Sequence, residues 1–114
     1  MQVKSFAIWA NAEKEQVPAL VQSTLVWANE NNLEVHLADQ LKSIDIDSDV
    51  SYFSTKNPPD VDFLLCFGGD GTLISGVRIF SFPSVPVLGV HLGGLGFLAQ
   101  ITPEVLIKKL ECIK

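Results

Sequence analysis

The chain has 114 residues, 47% of them hydrophobic, with a mean hydropathy of +0.30 and a net charge of −5. That length fits one compact domain, no run approaches the roughly 18 apolar residues of a membrane span, and Met1–Ala10 lacks the small-residue cleavage site of a secretory leader. The charge is −5 over residues 1–60 and zero over 61–114 with no basic run, which argues against general nucleic-acid binding and against an anionic membrane surface.

Phosphate ligands stay open, because backbone N–H groups and a metal ion hold phosphate without Lys or Arg. Cys66 and Cys112 read as two buried thiols of a reducing compartment, not as a disulfide framework.

In chain order, Val3–Trp9 predicts a first strand. Val17, Leu20, Val21, Leu25 and Ala28 recur at helical spacing, with Pro18 in the first turn and Asn29-Glu30-Asn31-Asn32 as the stop. Leu33–Leu37 predicts a second strand. The polar, acidic stretch from Ala38 to Asp60, ending in Asn57-Pro58-Pro59, reads mostly as connection. Asp45, Asp47 and Asp49 alternate within it, but a calcium loop would need Gly at Val50 and Glu at Lys56, so a solvated loop face is expected.

Val61–Phe67 is a nearly continuous apolar run, as in a strand covered on both faces. It enters Gly68-Gly69-Asp70-Gly71-Thr72, after which Leu73–Phe80 predicts a short helix. Pro83 and Pro86 frame a turn, and Val87–Val90 predicts another buried strand before Gly93-Gly94-Leu95-Gly96. Thr102 and Pro103 are placed as N-cap and first residue of a last helix, with Val105, Leu106, Leu110 and Ile113 as its apolar stripe and Lys108, Lys109 and Lys114 late in it. Strands alternating with helices, the strands apolar throughout, predict an α/β fold with an open parallel sheet and flanking helices.

All eight glycines lie between Gly68 and Gly96, and the charged residues between Asp62 and Glu104 are Asp70 and Arg78 alone. A carboxylate in a stretch of glycine and hydrocarbon, at the carboxyl end of a strand and the start of a helix, is placed where open parallel sheets bind ligands. The same residues also allow two simple turns, with Asp70 or Thr72 as a helix cap. Familiar phosphate fingerprints are absent. Gly69-Asp70-Gly71 is followed three residues on by Ile74, and Gly71 and Gly76 lead to Val77-Arg78 where a P-loop needs Lys-Ser or Lys-Thr.

Gly68-Gly69-Asp70-Gly71-Thr72 resembles the signature shared by NAD kinases, diacylglycerol-type lipid kinases and phosphofructokinases. Leu73-Ile74 and Arg78 are similar to the NAD kinase version, whereas lipid kinases usually carry Asn-Glu soon after the Thr. Pro86–Leu98 resembles the second NAD kinase block almost throughout. The resemblance covers residues 61–106 well and the first 60 only as a strand–helix–strand pattern.

It implies a Rossmann-like N-terminal domain spanning 1–114, with a β-rich NAD-binding domain outside this chain, and it implies that the chain alone is inactive. It implies transfer of phosphate from ATP or polyphosphate to the adenosine ribose 2′-hydroxyl of NAD, with Mg2+ accompanying ATP. The implied setting is a cytoplasmic homo-oligomer without nucleic-acid or membrane partners.

Carried over, Asp70 would take the proton from the 2′-hydroxyl. Gly68, Gly69, Gly71 and Thr72 would form the phosphate-facing turn, and Phe97 would line the pocket for the NAD adenosine, a place a core Phe could equally fill. No side chain is assigned as a metal ligand. Gly94 and Ser75 depart from relatives that carry larger or basic residues there. Arg78 is expected to pair with a nearby acid, and His36 and His91 to be structural. A diacylglycerol-type lipid kinase and a non-catalytic nucleotide-binding module are the competing readings.

Overall fold

The apolar runs do become the strands. The computed structural model describes residues 3–46, 50–80, 85–92 and 101–113. Asp47, Asp49, Pro83, Gly93, Gly94, Leu95, Gly96, Phe97 and Lys114, all given a reading above, lie outside the described residues.

Strand β1 (Ser5–Ala10) leads to helix α1 (Val17–Glu30) and β2 (Glu34–Ala38). After a 3-10 turn at Asp39–Leu41 come β3 (Ser51–Phe53), β4 (Phe63–Gly68), helix α2 (Asp70–Ile79) and β5 (Val87–His91). A second 3-10 turn at Pro103–Val105 feeds helix α3 (Leu106–Ile113). The five strands form one parallel sheet in the order β3-β2-β1-β4-β5.

That order grows in one direction from β1 to β2 and β3, and in the other through β4 to β5. Right-handed crossovers therefore put α1 and α2 on opposite faces, and the direction reverses between β1 and β4. Alternation along β1 agrees. Phe6 stacks on Phe63 with ring centroids 4.8 Å apart and meets Trp27 of α1, whereas Trp9 turns toward Gly76 of α2. The Trp27 indole N–H donates to Glu111 at 2.6 Å and ties α3 to α1.

Every residue of β4 is buried, as its continuous apolar run requires. At its start the Asp62 carboxylate accepts the backbone N–H groups of Lys4 (2.7 Å) and Ser5 (3.1 Å), which hold its pKa below the usual range and clamp β4 to β1.

Helix α1 stops for a specific reason. Asn32 takes φ 58°, and the N–H groups of Asn32 and Leu33 return to the carbonyls of Asn29 and Ala28. This left-handed cap closes the last turn, and Asn is among the few side chains that tolerate it.

Several expectations need correction. The stretch from Ala38 to Asp60 contains strand β3 as well as connection; with three residues, of which only Phe53 is buried, β3 is too short to show an alternating pattern. Helix α2 begins at Asp70 and not at Leu73, so Gly69 is its N-cap while Asp70 and Thr72 lie inside the first turn. Thr102 caps a 3-10 turn through its backbone alone, its side chain bonding Glu104, and Val105 is exposed where Leu106 and Leu110 are buried.

Cys112 is exposed as well, whereas burial pushes the Cys66 thiol up to about 12. Only the thiolate attacks disulfide reagents. The native chain should therefore release one equivalent of thionitrobenzoate promptly with Ellman's reagent, from Cys112, and a second only in denaturant. Two prompt equivalents would contradict the packing of β4 against α2.

Candidate functional site

The carboxyl ends of β1, β4 and β5 meet in one row. Ala10 is in register with Phe67 and Gly68 with His91; the Asn11 N–H donates to the Phe67 carbonyl at 3.0 Å and the Leu92 N–H to the Gly68 carbonyl at 3.0 Å. The first glycine turn thus begins beside the end of β5. Ile101 returns beside β5, its N–H donating to Gly89 at 3.0 Å and its carbonyl accepting from His91 at 2.7 Å.

Helix α2 rises directly from this edge. Its hydrogen-bond ladder starts with Leu73 N–H donating to the Gly69 carbonyl at 3.1 Å, so the amides of Gly71 and Thr72 have no acceptor within the helix. Its N-cap, Gly69, has no side chain with which to cap them. Those amides and the positive end of the helix dipole favour an anion, and the Asp70 carboxylate already occupies the first turn.

The glycines divide into two kinds. A Cβ on Gly68 would lie 2.5 Å from Thr72 Oγ1 and 2.7 Å from Thr72 Cβ, and one on Gly76 would lie 2.7 Å from Cys66 Sγ and 3.1 Å from Trp9 Cδ1. These two let α2 close onto β4 and β1. Gly69 and Gly71 would meet nothing within 4 Å. Neither has a positive φ, so nothing among the described residues requires their smallness.

Beside the helix start lies a cleft of about 620 Å³. The exit of β1 contributes Trp9, Ala10 and the loop Asn11–Glu13, the turn after β2 contributes Gln40, and α2 contributes Gly71, Thr72 and Ser75. It therefore sits where the strand order reverses, between β1 and β4, which is where open α/β sheets take ligands.

The β1 loop is held by its own bonds. Asn11 Oδ1 accepts from Glu13 N–H at 3.1 Å, the Asn11 carbonyl accepts from Lys14 N–H at 3.1 Å, and the Gln40 side-chain amide donates to the Ala10 carbonyl.

The structure brings Gly71 and Thr72 to the cleft wall, whereas Gly68, Gly69 and Asp70 are not among the residues lining it; Asp70 is half-buried at the helix start. Phe97 lies outside the described residues. Arg78 is exposed toward the far end of α2, and His91 is half-buried at the end of β5. Sequence reasoning missed Trp9, Asn11, Glu13 and Gln40. The signal that could have found them is topological: once β1 and β4 are neighbours, the loop after β1 faces the glycine turn.

A family profile for the ATP-NAD kinase N-terminal domain matches residues 6–113. The chain belongs to the NAD kinase family. The NAD kinase of Syntrophotalea carbinolica is 36% identical over 109 residues, covering 96% of this chain and 38% of that protein. The NAD kinase of Methanosphaera stadtmanae is 34% identical over 105 residues, covering 91% and 38%. Against relatives of this family the chain spans little more than a third of their length.

The crystal structure of yeast NADH kinase complexed with NADH superposes with a TM-score of 0.76 over 96% of this chain and 35% of that one, at 20% identity. That likeness bears out the open parallel sheet with flanking helices. Among the described residues, no helix is long and apolar enough to cross a membrane.

Proposed function

We propose that the protein carrying this chain is a phosphotransferase that converts NAD to NADP. The γ-phosphoryl group of ATP, or a terminal phosphoryl group of polyphosphate, passes to the adenosine ribose 2′-hydroxyl. The new bond joins the 2′-oxygen to phosphorus, the bond to the β-phosphate oxygen breaks, and ADP or shortened polyphosphate leaves. The 2′-hydroxyl proton goes to Asp70.

The observation that carries this reading is the placement of Gly68–Thr72. It is the strand-to-helix turn at the reversal point of the sheet, with the open sides of Gly69 and Gly71 and, at the helix start, the amides of Gly71 and Thr72, which have no acceptor within the helix. Family membership supports the same assignment.

Asp70 takes the proton late. A carboxylate with an unperturbed pKa of about 3.9 is a weak base toward an alcohol, so most of the acceleration comes from positioning and charge stabilisation. The amides of Gly71 and Thr72 and the Thr72 hydroxyl hold donor phosphate oxygens. Phe97 forms a wall for the NAD adenosine.

Among the described residues no three His, Cys, Asp or Glu side chains converge as a metal cage. Mg2+ would accompany ATP, bound chiefly by phosphate oxygens, and would supply charge neutralisation there. The site for the acceptor would be completed by a β-rich domain outside these residues. The chain alone is inactive, and the whole protein works as a cytoplasmic homo-oligomer.

The test is NADP formation by the complete protein from NAD, ATP and Mg2+, with polyphosphate as second donor and diacylglycerol as competing acceptor. NADP without phosphatidate is the expected result. Phosphorylated lipid without NADP would move the assignment to the lipid kinases, and ATP binding with no turnover on any acceptor would make the domain a non-catalytic nucleotide binder.

A further inference from the structure

Phosphate sites ordinarily bring cationic side chains to the ligand. Among the described residues lining the cleft between β1 and β4, none is Lys or Arg, and the sole acid or base is Glu13. It stands on the β1 side, with Gly71, Thr72 and Ser75 on the α2 side. Lys14, next in the chain, is not among the lining residues.

The loop that carries Glu13 is fixed at its backbone. Asn11 N–H is bonded to Phe67 of β4, Glu13 N–H to Asn11 Oδ1, and the Ala10 carbonyl accepts from Gln40. The loop therefore holds Glu13 in the lining of a cleft whose other lining residues are uncharged.

We propose that Glu13 is a charge-selecting residue: it discriminates against bare polyphosphate anions and favours a phosphate donor whose charge is reduced by a bound divalent cation. The proposal rests on the nucleotide reading above and concerns which form of the donor the site accepts.

Coulomb repulsion scales with the product of charges. A carboxylate thus opposes free ATP, at about −4, roughly twice as strongly as its Mg2+ complex, at about −2. The neutral hydroxyls of Thr72 and Ser75 and the amides of α2 bind oxygens without cancelling that repulsion. Glu13 is exposed, so solvent and salt hold the effect to several-fold.

The test uses calorimetric titration of the complete protein, as wild type, Glu13→Gln and Glu15→Gln. The probes are ATP in EDTA, ATP with saturating Mg2+, and inorganic tripolyphosphate in EDTA, each at about 50 and 300 mM salt. Glu15 is exposed two residues away and outside the cleft lining, which makes its variant a control for net charge.

Glu13→Gln should tighten metal-free ATP and tripolyphosphate about three- to tenfold and Mg2+-ATP by less than about twofold, with the difference shrinking at the higher salt. Glu15→Gln should change none of them. Equal shifts for both forms of ATP, or no shift while the wild type binds ATP, would overturn the role of Glu13 alone. A response of ATP but not tripolyphosphate would also overturn it, because the residue would then be contacting the nucleoside. Failure of the folded wild type to bind ATP in either form would overturn the nucleotide reading and this proposal together.

Discussion

Asp70→Asn in the complete protein should lower the turnover number for NADP formation by about 10²- to 10⁴-fold, the usual range for losing a positioned acid or base. Asn keeps the shape of the side chain and its place in the first turn of α2 but cannot take the 2′-hydroxyl proton. ATP affinity should stay within a few-fold, because the groups proposed to hold phosphate are the amides of Gly71 and Thr72 and not this carboxylate. Removing a negative charge from the start of a helix costs about 0.3–1 kcal/mol, so the melting temperature should fall slightly at most. Parallel measurement of the turnover number, ATP dissociation constant and thermal melt separates the outcomes. A variant that keeps a tenth or more of wild-type turnover would leave Asp70 without a proton-accepting role, and one that loses ATP binding in step with turnover would make it a binding or folding residue.

Gly68→Ala should destabilise the fold by about 1–3 kcal/mol, the cost typical of forcing a methyl group into a packed site. The new Cβ would stand 2.5 Å from Thr72 Oγ1 and 2.7 Å from Thr72 Cβ. Thr72 Cβ is attached directly to the helix backbone, so no side-chain rotation relieves the clash; the first turn of α2 must lift from β4. In a Thr72→Gly background, which removes the three nearest atoms, the added cost of Gly68→Ala should fall below about 0.5 kcal/mol. Gly71→Ala is the contrast. It meets nothing within 4 Å and has no positive φ, so it should stabilise the helix by about 0.4–1 kcal/mol while weakening phosphate binding. Urea titrations of the three single variants and the double variant decide this, and equal costs at positions 68 and 71 would contradict the division.

These glycines also show what a sequence conceals. Gly68, Gly69 and Gly71 read alike as members of one flexible, ligand-facing turn. Position 68 is instead occupied by close packing within the chain, whereas 69 and 71 meet nothing within 4 Å among the described residues. The difference depends on how near α2 lies to β4, a tertiary distance with no local signature. The strands β1, β4 and β5 were legible because burial on both faces gives a continuous apolar run, and the stripe of α1 because burial on one face imposes a helical period. Strand β3 was not, since a three-residue edge with one buried side chain satisfies no period. The site was half legible. Its helix side stood out as glycine around a lone carboxylate, whereas Asn11, Glu13 and Gln40 are ordinary polar residues that matter through the adjacency of β1 and β4.

That adjacency ties ligand capture to the persistence of the whole fold. β1 and β4 each have a strand on either side, so fraying at a margin of the sheet leaves their pairing in place, and the strand ends that flank the cleft separate only when the sheet itself comes apart. Amide protons in the middle of these two strands should accordingly be among the slowest to exchange. A nucleotide present at about a hundred times its dissociation constant should protect them further, by about 2.7 kcal/mol. Occupancy and endurance of the sheet become two readings of one equilibrium.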